Sequence, residues 1–234
     1  MVLAVTYSIP GFQDPLSSIT HLLAVPVFLW LGVRLIRQGR GALGRTVSLA
    51  VLVLSTLFLL SMSAVYHLLG PGTGRYVLRI LDINGVFALI AGTVTPIHYI
   101  LFRGRLRWIP LLCYWMVAAT GISLRSVFPD GLPPGLGIGI FLAMGWAGVA
   151  SFVLLWRGFG YQFVRPILLG GLAYSCGAIV LGIKWPTVVP GVVGPHEIWH
   201  LAVLIGLAQH WRFVFRIADG SYVLPKNENR TPLS

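Results

Sequence analysis

The stretch Val47–Leu69 has the sequence VSLAVLVLSTLFLLSMSAVYHLL, and its 23 residues include no Asp, Glu, Lys or Arg. An apolar run of about 20 residues has the length that a helix needs to cross the hydrocarbon core of a bilayer. Because hydrocarbon offers a backbone no hydrogen-bond partners, so long a run must be helical. The stretch therefore predicts a transmembrane helix with a histidine, His67, close to its end.

Six further apolar runs lie along the 234-residue chain, and short connectors rich in Gly, Pro and Arg separate them. Such connectors are typical of turns at the membrane boundary. The predicted spans are Ser18–Ile36, Val47–Leu69, Val77–Phe102, Trp108–Leu124, Leu136–Trp156, Phe163–Ile183 and His196–Phe215. We therefore predict an all-α integral membrane bundle of seven transmembrane helices. Residues 1–17 form a short N-terminal segment, 18–217 the transmembrane domain and 218–234 a polar, disordered tail.

The composition supports a membrane protein, because 56% of the residues are hydrophobic and only 10% are charged. Soluble proteins carry about 25% charged residues. The net charge of +11 does not indicate nucleic-acid binding, since the basic residues lie between apolar spans. Of the 17 basic residues, 13 fall on one side and the other side has only Arg75, Arg79, Arg125 and Lys184. The positive-inside rule then predicts an inner (plasma) membrane protein with its C-terminus in the cytoplasm and its N-terminus outside.

Glycines are concentrated in the fifth and sixth spans. Small residues let membrane helices approach one another closely. We therefore expect these two spans to pack together through Gly135, Gly137, Gly139, Gly145, Gly148, Gly170, Gly171 and Gly177.

Ionisable side chains inside apolar spans are rare and mark functional sites. The end of the second span and the starts of the third and seventh lie on the same side of the membrane. His67 ends the second span, Asp82 lies about two turns into the third, and His196 and His200 begin the seventh. We expect these four side chains at similar depth. His21, on the same side, should line the entrance or make a structural polar contact.

Two histidines spaced i and i+4 project from one face of a helix, as in the zinc-binding pattern His-Glu-x-x-His. Catalytic zinc takes three protein ligands and keeps one position for water, so His67 would complete a set with His196 and His200. Asp82 would orient or deprotonate that water, and Ser63, one turn before His67, would stabilise an oxyanion. Imidazoles also bind iron, nickel and copper, so the pattern leaves the metal open.

Each of these residues also has a structural explanation. The histidines could be hydrated residues at helix ends, Asp82 could pair with Arg79, and Ser63 could bond to its own helix backbone. Glu197 falls in the first turn of the last span, where an acid after Gly194 and Pro195 stabilises a helix start. A metalloprotease is disfavoured, because the motif lies in the last span and no later helix can supply a further ligand.

Three blocks resemble the signature of the hemolysin III family, the bacterial branch of the progestin and adipoQ receptors. They are SAVYH (Ser63–His67), LDINGVFALIAGTVTP (Leu81–Pro96) and HEIWH (His196–His200). The resemblance extends from SSITH at Ser17 to the seventh span. It implies a seven-helix zinc protein with the three histidines as ligands, Asp82 holding the water and Ser63 beside it. Through the related alkaline ceramidases it implies hydrolysis of lipid amides such as ceramide, with a membrane lipid as substrate or ligand.

The chain departs from the family pattern at two points. Many relatives begin with a basic segment and have the N-terminus in the cytoplasm, opposite to the orientation that the arginine count predicts. Ile83 follows Asp82 where relatives often have a histidine. Two other functions stay open, a receptor-like or membrane-homeostasis protein with structural zinc and a pore-forming hemolysin. We find no ring of polar residues in the sequence that would line a pore.

Overall fold

The fold is a helical bundle, seen in a computed structural model that describes residues 13–131 and 133–224. Within these ranges the chain forms eight α-helical segments and no β-strand. They are α1 (Pro15–Gln38), α2 (Leu43–Leu68), α3 (Thr73–Leu101), α4 (Arg105–Val127), α5 (Pro134–Trp146), α6 (Val149–Phe159), α7 (Tyr161–Ile183) and α8 (Pro195–Ile217). The predicted all-α class is confirmed.

Six stretches of the described chain are long and apolar enough to cross a membrane. They are α1, α2, α3, α4, the run Gly135–Phe159 that contains α5 and α6, and α7. They match the first six predicted spans, although most of the helices continue a few residues past the predicted bounds. The extensions reach into the boundary regions, where arginine and glycine interrupt the apolar pattern but not the helix.

The last helix, α8, is not among these six stretches but has the length of α4 and α7, 23 residues. This length corresponds to about 34 Å at 1.5 Å per residue. Its polar residues are His196, Glu197, His200, Gln209, His210, Arg212 and Arg216. The helix packs along α7 and also contacts α1 and α3. It tolerates these residues because neighbouring helices, and not lipid alone, surround it.

The glycines of the fifth span do not make the expected helix contacts. A Cβ atom on Gly135, Gly137, Gly139 or Gly145 would meet open space, and the helix is interrupted after Trp146. The expectation that these glycines pack against the sixth span is wrong. In α7, by contrast, Gly170 and Gly177 lie against α8, and a Cβ on Gly177 would stand 2.5 Å from that of Ala202. Small residues therefore bring α7 close to α8.

The apolar side chains divide into an inner core and an outer, lipid-facing surface. Leu52, Leu60 and Leu207 are fully enclosed, and the buried Trp211 donates its indole N–H to Thr56 Oγ1 at 3.2 Å. Many other large apolar side chains point outward, such as Leu54, Leu112 and Ile179, each more than half exposed. A surface of this kind is suited to hydrocarbon and not to water.

The segment after α8 returns to the bundle. Leu224 donates its backbone N–H to the carbonyl of Leu101 at 2.9 Å, and the Tyr222 ring lies 5.0 Å from that of Phe163. Residues 225–234 of the predicted disordered tail, and residues 1–12 of the predicted N-terminal segment, lie outside the described ranges.

Candidate metal centre

Three imidazoles converge at one end of the bundle. His67 lies in the last turn of α2, and His196 and His200 lie one turn apart at the start of α8. The Nε2 atom of His196 is 3.3 Å from that of His67 and 3.0 Å from that of His200. One nitrogen from each ring can be chosen so that all three lie within 4.8 Å of one another. The structure thus brings together the three ligands predicted from the sequence.

The geometry of these nitrogens fits a shared cation. Two nitrogens bound to a tetrahedral zinc ion at about 2.0–2.1 Å lie about 3.3 Å apart, close to the separations observed here. Each imidazole nitrogen either carries a proton and donates a hydrogen bond or carries none and accepts one. Three nitrogens that face one another therefore cannot all be paired by hydrogen bonds through one shared proton. Three imidazoles suit zinc and several other transition metals. These residues could therefore hold a metal ion.

A carboxylate fixes the orientation of His67. Asp14, the residue before α1, lies 2.9 Å from His67 Nδ1 through Oδ2 and accepts a 2.8 Å bond from Arg75. The backbone N–H of Asp14 also donates to the His67 carbonyl at 2.9 Å. Burial raises the pKa of Asp14, but hydrogen bonds from His67 and Arg75 outweigh it and lower the pKa to about 2. The carboxylate accepts the Nδ1–H of His67 and so leaves its Nε2 lone pair directed at the cluster.

Asp14 was missed by the sequence analysis. A signal was present, because Asp14 is one of only six acidic residues in the chain and directly precedes an apolar span that begins on the histidine side of the membrane. Nothing in the sequence, however, indicates which of the polar groups at this depth it contacts.

A fourth histidine supports the cluster from behind. His21 of α1 is 2% exposed, and its Nε2 lies 3.0 Å from the Nδ1 of His200. Since His200 presents its other nitrogen to His196, this contact fixes the orientation of the His200 ring. Of the two roles expected for His21, the structure shows the polar contact.

Glu197 stabilises the start of α8. Gly194 is the N-cap, Pro195 begins the helix, and the Gly194 N–H donates to Glu197 Oε2 at 2.9 Å. Ser17 donates its hydroxyl to Oε1 at 3.2 Å. Both carboxylate oxygens are therefore engaged at the helix start, as the structural explanation of this residue predicted.

Asp82 and Ser63 line the same cavity as the cluster. The cavity has a volume of about 1010 Å³, and His196 and His200 also line it. Among the described residues, Asp82 forms no ion pair, and the buried Ser63 hydroxyl bonds to no backbone carbonyl. The structural alternatives for both residues are not formed, since Arg79 pairs with Asp130 and Ser63 does not bond to its own backbone.

The two remaining histidines are structural. His98 Nδ1 lies 2.9 Å from the carbonyl of Leu106, and His210 Nδ1 lies 2.9 Å from the carbonyl of Gly206, one turn earlier. Each is bonded within its own part of the bundle and takes no part in the cluster.

Fold and site together define a multi-pass membrane protein with a candidate three-histidine metal centre at one end. The family described as Haemolysin-III related matches residues 12–211 of the chain, and the chain belongs to this family. This match confirms the hemolysin III resemblance seen in the three sequence blocks, and a plant ADIPOR2 relative confirms the link to the progestin and adipoQ receptors.

Individual relatives cover most of the chain. It is 29% identical to Hemolysin-3 of Bacillus cereus over 218 residues, which are 91% of this chain and 93% of the relative. It is 28% identical to the Hemolysin-3 homolog of Bacillus subtilis (strain 168) over 200 residues, 84% and 90% of the two chains. It is 30% identical to the Heptahelical transmembrane protein ADIPOR2 of Oryza sativa subsp. japonica over 181 residues, 69% and 77% of the two chains.

Proposed function

We propose that the protein is a zinc-dependent hydrolase of lipid amides that works within the membrane. The observation that carries the proposal is the convergence of three histidine nitrogens beside a large cavity that Asp82 and Ser63 also line. His67, His196 and His200 would hold the ion. When bound, zinc would lower the pKa of a water molecule and polarise the substrate carbonyl.

The side chains around the ion would carry the proton transfers. As a water molecule attacks the amide carbonyl, Asp82 would accept a proton from that water. Ser63, whose hydroxyl is buried and unpaired among the described residues, would donate a hydrogen bond to the oxyanion that develops. When the carbon–nitrogen bond breaks, Asp82 would return the proton to the leaving amine.

The cavity supports a substrate with a long apolar chain. Asp82 and His98 both line it, and they lie 16 residues apart on α3, which corresponds to about 24 Å. Between them the lining is largely apolar and includes Phe87, Ile90 and Phe141. An acyl chain could lie in this space while its amide group stands beside Asp82.

The test is hydrolysis of ceramide by the purified protein in nanodiscs, measured as sphingosine and fatty acid released. Asp82→Asn should lower the rate by about 100-fold or more, the usual effect of losing a general base, with zinc content unchanged. Asp219→Asn, which changes an exposed carboxylate that does not line the cavity, is the matched control and should retain the wild-type rate. If the wild-type protein hydrolyses no lipid amide, the enzymatic proposal is wrong.

A non-catalytic receptor-like or homeostatic role with structural zinc is the second candidate. It is favoured by the contacts that orient two of the three histidines, since Asp14 and His21 would hold His67 and His200 in place whether or not a reaction takes place. Under this alternative, Asp82→Asn leaves the zinc content and the cellular function unchanged. His67→Ala, by contrast, abolishes both zinc binding and the cellular function.

The orientation in the membrane is also a proposal. The excess of arginine at the end opposite the histidines would place the C-terminus in the cytoplasm and the metal centre on the outer face of the inner membrane. Reporter fusions to the C-terminus test it, and activity of a periplasm-specific reporter would reverse the assignment.

A further inference from the structure

A second polar site lies at the opposite end of the bundle. A pocket of about 330 Å³, at the lower end of the range for small-ligand pockets, has Arg45, Arg103, Arg107 and Tyr99 in its lining. Arg45 is 22 residues from His67 along α2, or about 33 Å. The pocket is therefore separate from the metal centre, near the other membrane boundary.

Among the described residues, the arginines of this pocket form no ion pair with a carboxylate, and Asp219 attracts Arg45 only from beyond 4.0 Å. No described carboxylate lies within 4.0 Å of any of the three guanidinium groups. Asp219 precedes the pocket residue Gly220, but it accepts bonds from the Ser221 backbone N–H and hydroxyl at 3.0 and 2.8 Å. Three like charges around one pocket repel one another unless an anion lies between them.

Backbone carbonyls hold the guanidinium groups in place. Arg45 donates from Nε to Gly39 at 3.0 Å and from Nη2 to Arg40 at 2.8 Å. Arg107 donates from Nε to Phe102 at 2.9 Å, and its guanidinium lies 4.6 Å from the centre of the Tyr99 ring. Each guanidinium has five N–H donors, so both retain further donors for a ligand. Because their orientation is already fixed, binding would cost little side-chain entropy.

The start of α2 adds further donors. Its N-cap residue, Ala42, lines the pocket and supplies no side-chain cap. The first N–H groups of a helix have no partner within the helix, and they attract anions. Next to the pocket, the apolar side chains of Leu43 and Leu106 are 82% and 52% exposed. A basic pocket thus adjoins an apolar surface, as the head and tail of a phospholipid require.

We propose that this pocket binds a phosphate group at the membrane boundary, from an anionic phospholipid headgroup or from free phosphate. The planar guanidinium group matches the geometry of phosphate oxygens, and basic pockets between membrane helices bind lipid headgroups. This site is independent of the proposed hydrolase activity.

The test is native mass spectrometry of the full-length protein in detergent, titrated with phosphatidylglycerol, phosphatidylcholine or inorganic phosphate. One phosphatidylglycerol should bind in preference to phosphatidylcholine. The double variant Arg103→Gln/Arg107→Gln should lower its affinity by about tenfold or more, since hydrogen bonds to charged groups are strong. Arg105→Gln is the charge-matched control, because Arg105 is exposed and does not line the pocket, and it should change the affinity less than about twofold by loss of screened charge alone.

The outcomes separate the sources of the phosphate. Displacement of phosphatidylglycerol by inorganic phosphate, with the same dependence on Arg103 and Arg107, would assign the site to free phosphate. An equal loss of affinity in Arg105→Gln, or no selective binding of either ligand, would overturn the proposal. If the double variant misfolds, Arg103→Gln alone is tested in its place. This change should leave folding intact, since the Arg103 side chain makes only long contacts of 3.4 and 3.5 Å with backbone carbonyls.

Discussion

The two ends of the bundle accommodate polar side chains in opposite ways. At the histidine end, Asp14 accepts bonds from His67 and Arg75, and Glu197 accepts bonds from Gly194 and Ser17. At the arginine end, Arg45 and Arg107 donate to backbone carbonyls and their charges meet no described carboxylate. At the first end the polar groups are paired within the chain around a candidate cation site, whereas at the second end the arginines form no ion pair with a described carboxylate.

The difference follows from burial. His67 and His200 are 2% and 4% exposed, and a buried polar group without a partner costs about 1–3 kcal/mol. The arginines lie at the boundary, where long side chains reach water and need no partner within the protein. Substitutions at the histidine end should therefore have larger and more specific effects than those at the arginine end.

The largest expected effect is loss of the metal. His200→Ala removes one of three ligands and leaves His21 without its partner, so zinc per protein should fall from about one to near zero, because a catalytic zinc site needs three protein ligands. Elemental analysis of the purified variant measures this. His98→Ala is the control, since His98 is equally buried but bonds to the Leu106 carbonyl. An unchanged zinc content in His200→Ala would show that His200 is not a ligand of the ion.

A smaller effect is expected at Asp14. Asp14→Ala leaves all three ligands but frees the Nδ1 of His67, and loss of such a supporting carboxylate lowers metal affinity by about 10–100-fold. Competition with a zinc chelator measures the affinity. Asp14→Asn retains an oxygen acceptor and should fall between Asp14→Ala and wild type. Equal affinities in all three proteins would mean that Asp14 does not orient His67.

Glu197→Ala should lower stability without removing the ion. The helix start loses its acceptor for the Gly194 N–H, and loss of a cap destabilises a helix by about 0.5–2 kcal/mol. Thermal unfolding in detergent should show a lower midpoint with unchanged zinc content. Loss of zinc together with this change would argue that Glu197 acts at the metal.

The smallest effect is expected at the exposed pair between Arg79 and Asp130. The hydrogen bond from Arg79 lowers the pKa of Asp130, but solvent screens such pairs and most contribute little. Asp130→Asn should leave the thermal midpoint unchanged within error. A clear decrease would show that boundary charges stabilise the bundle more than the comparison of its two ends implies.

The sequence predicted the positions of the helices better than their contacts. Six spans and the approach of His67 to His196 and His200 followed from the lengths of apolar runs and the side on which each begins or ends. The prediction that the glycines of the fifth span pack against the sixth was wrong, because a small residue permits a close contact between helices without specifying which helix makes it. Arg79 was paired with Asp82 in one hypothesis, but the loop before α5 brings Asp130 to it instead.

Sequence alone determined the helices, their order and the end of the bundle at which each polar group lies, because bilayer thickness and local hydropathy act on each segment separately. Only the tertiary structure decided which groups at one depth meet, as with Asp14 and His67, or His21 and His200. Those pairings depend on the rotation of each helix about its axis and on the packing of α8 against α7. Helix rotation and helix packing are set by contacts between residues far apart in the chain, and no local sequence pattern encodes such contacts.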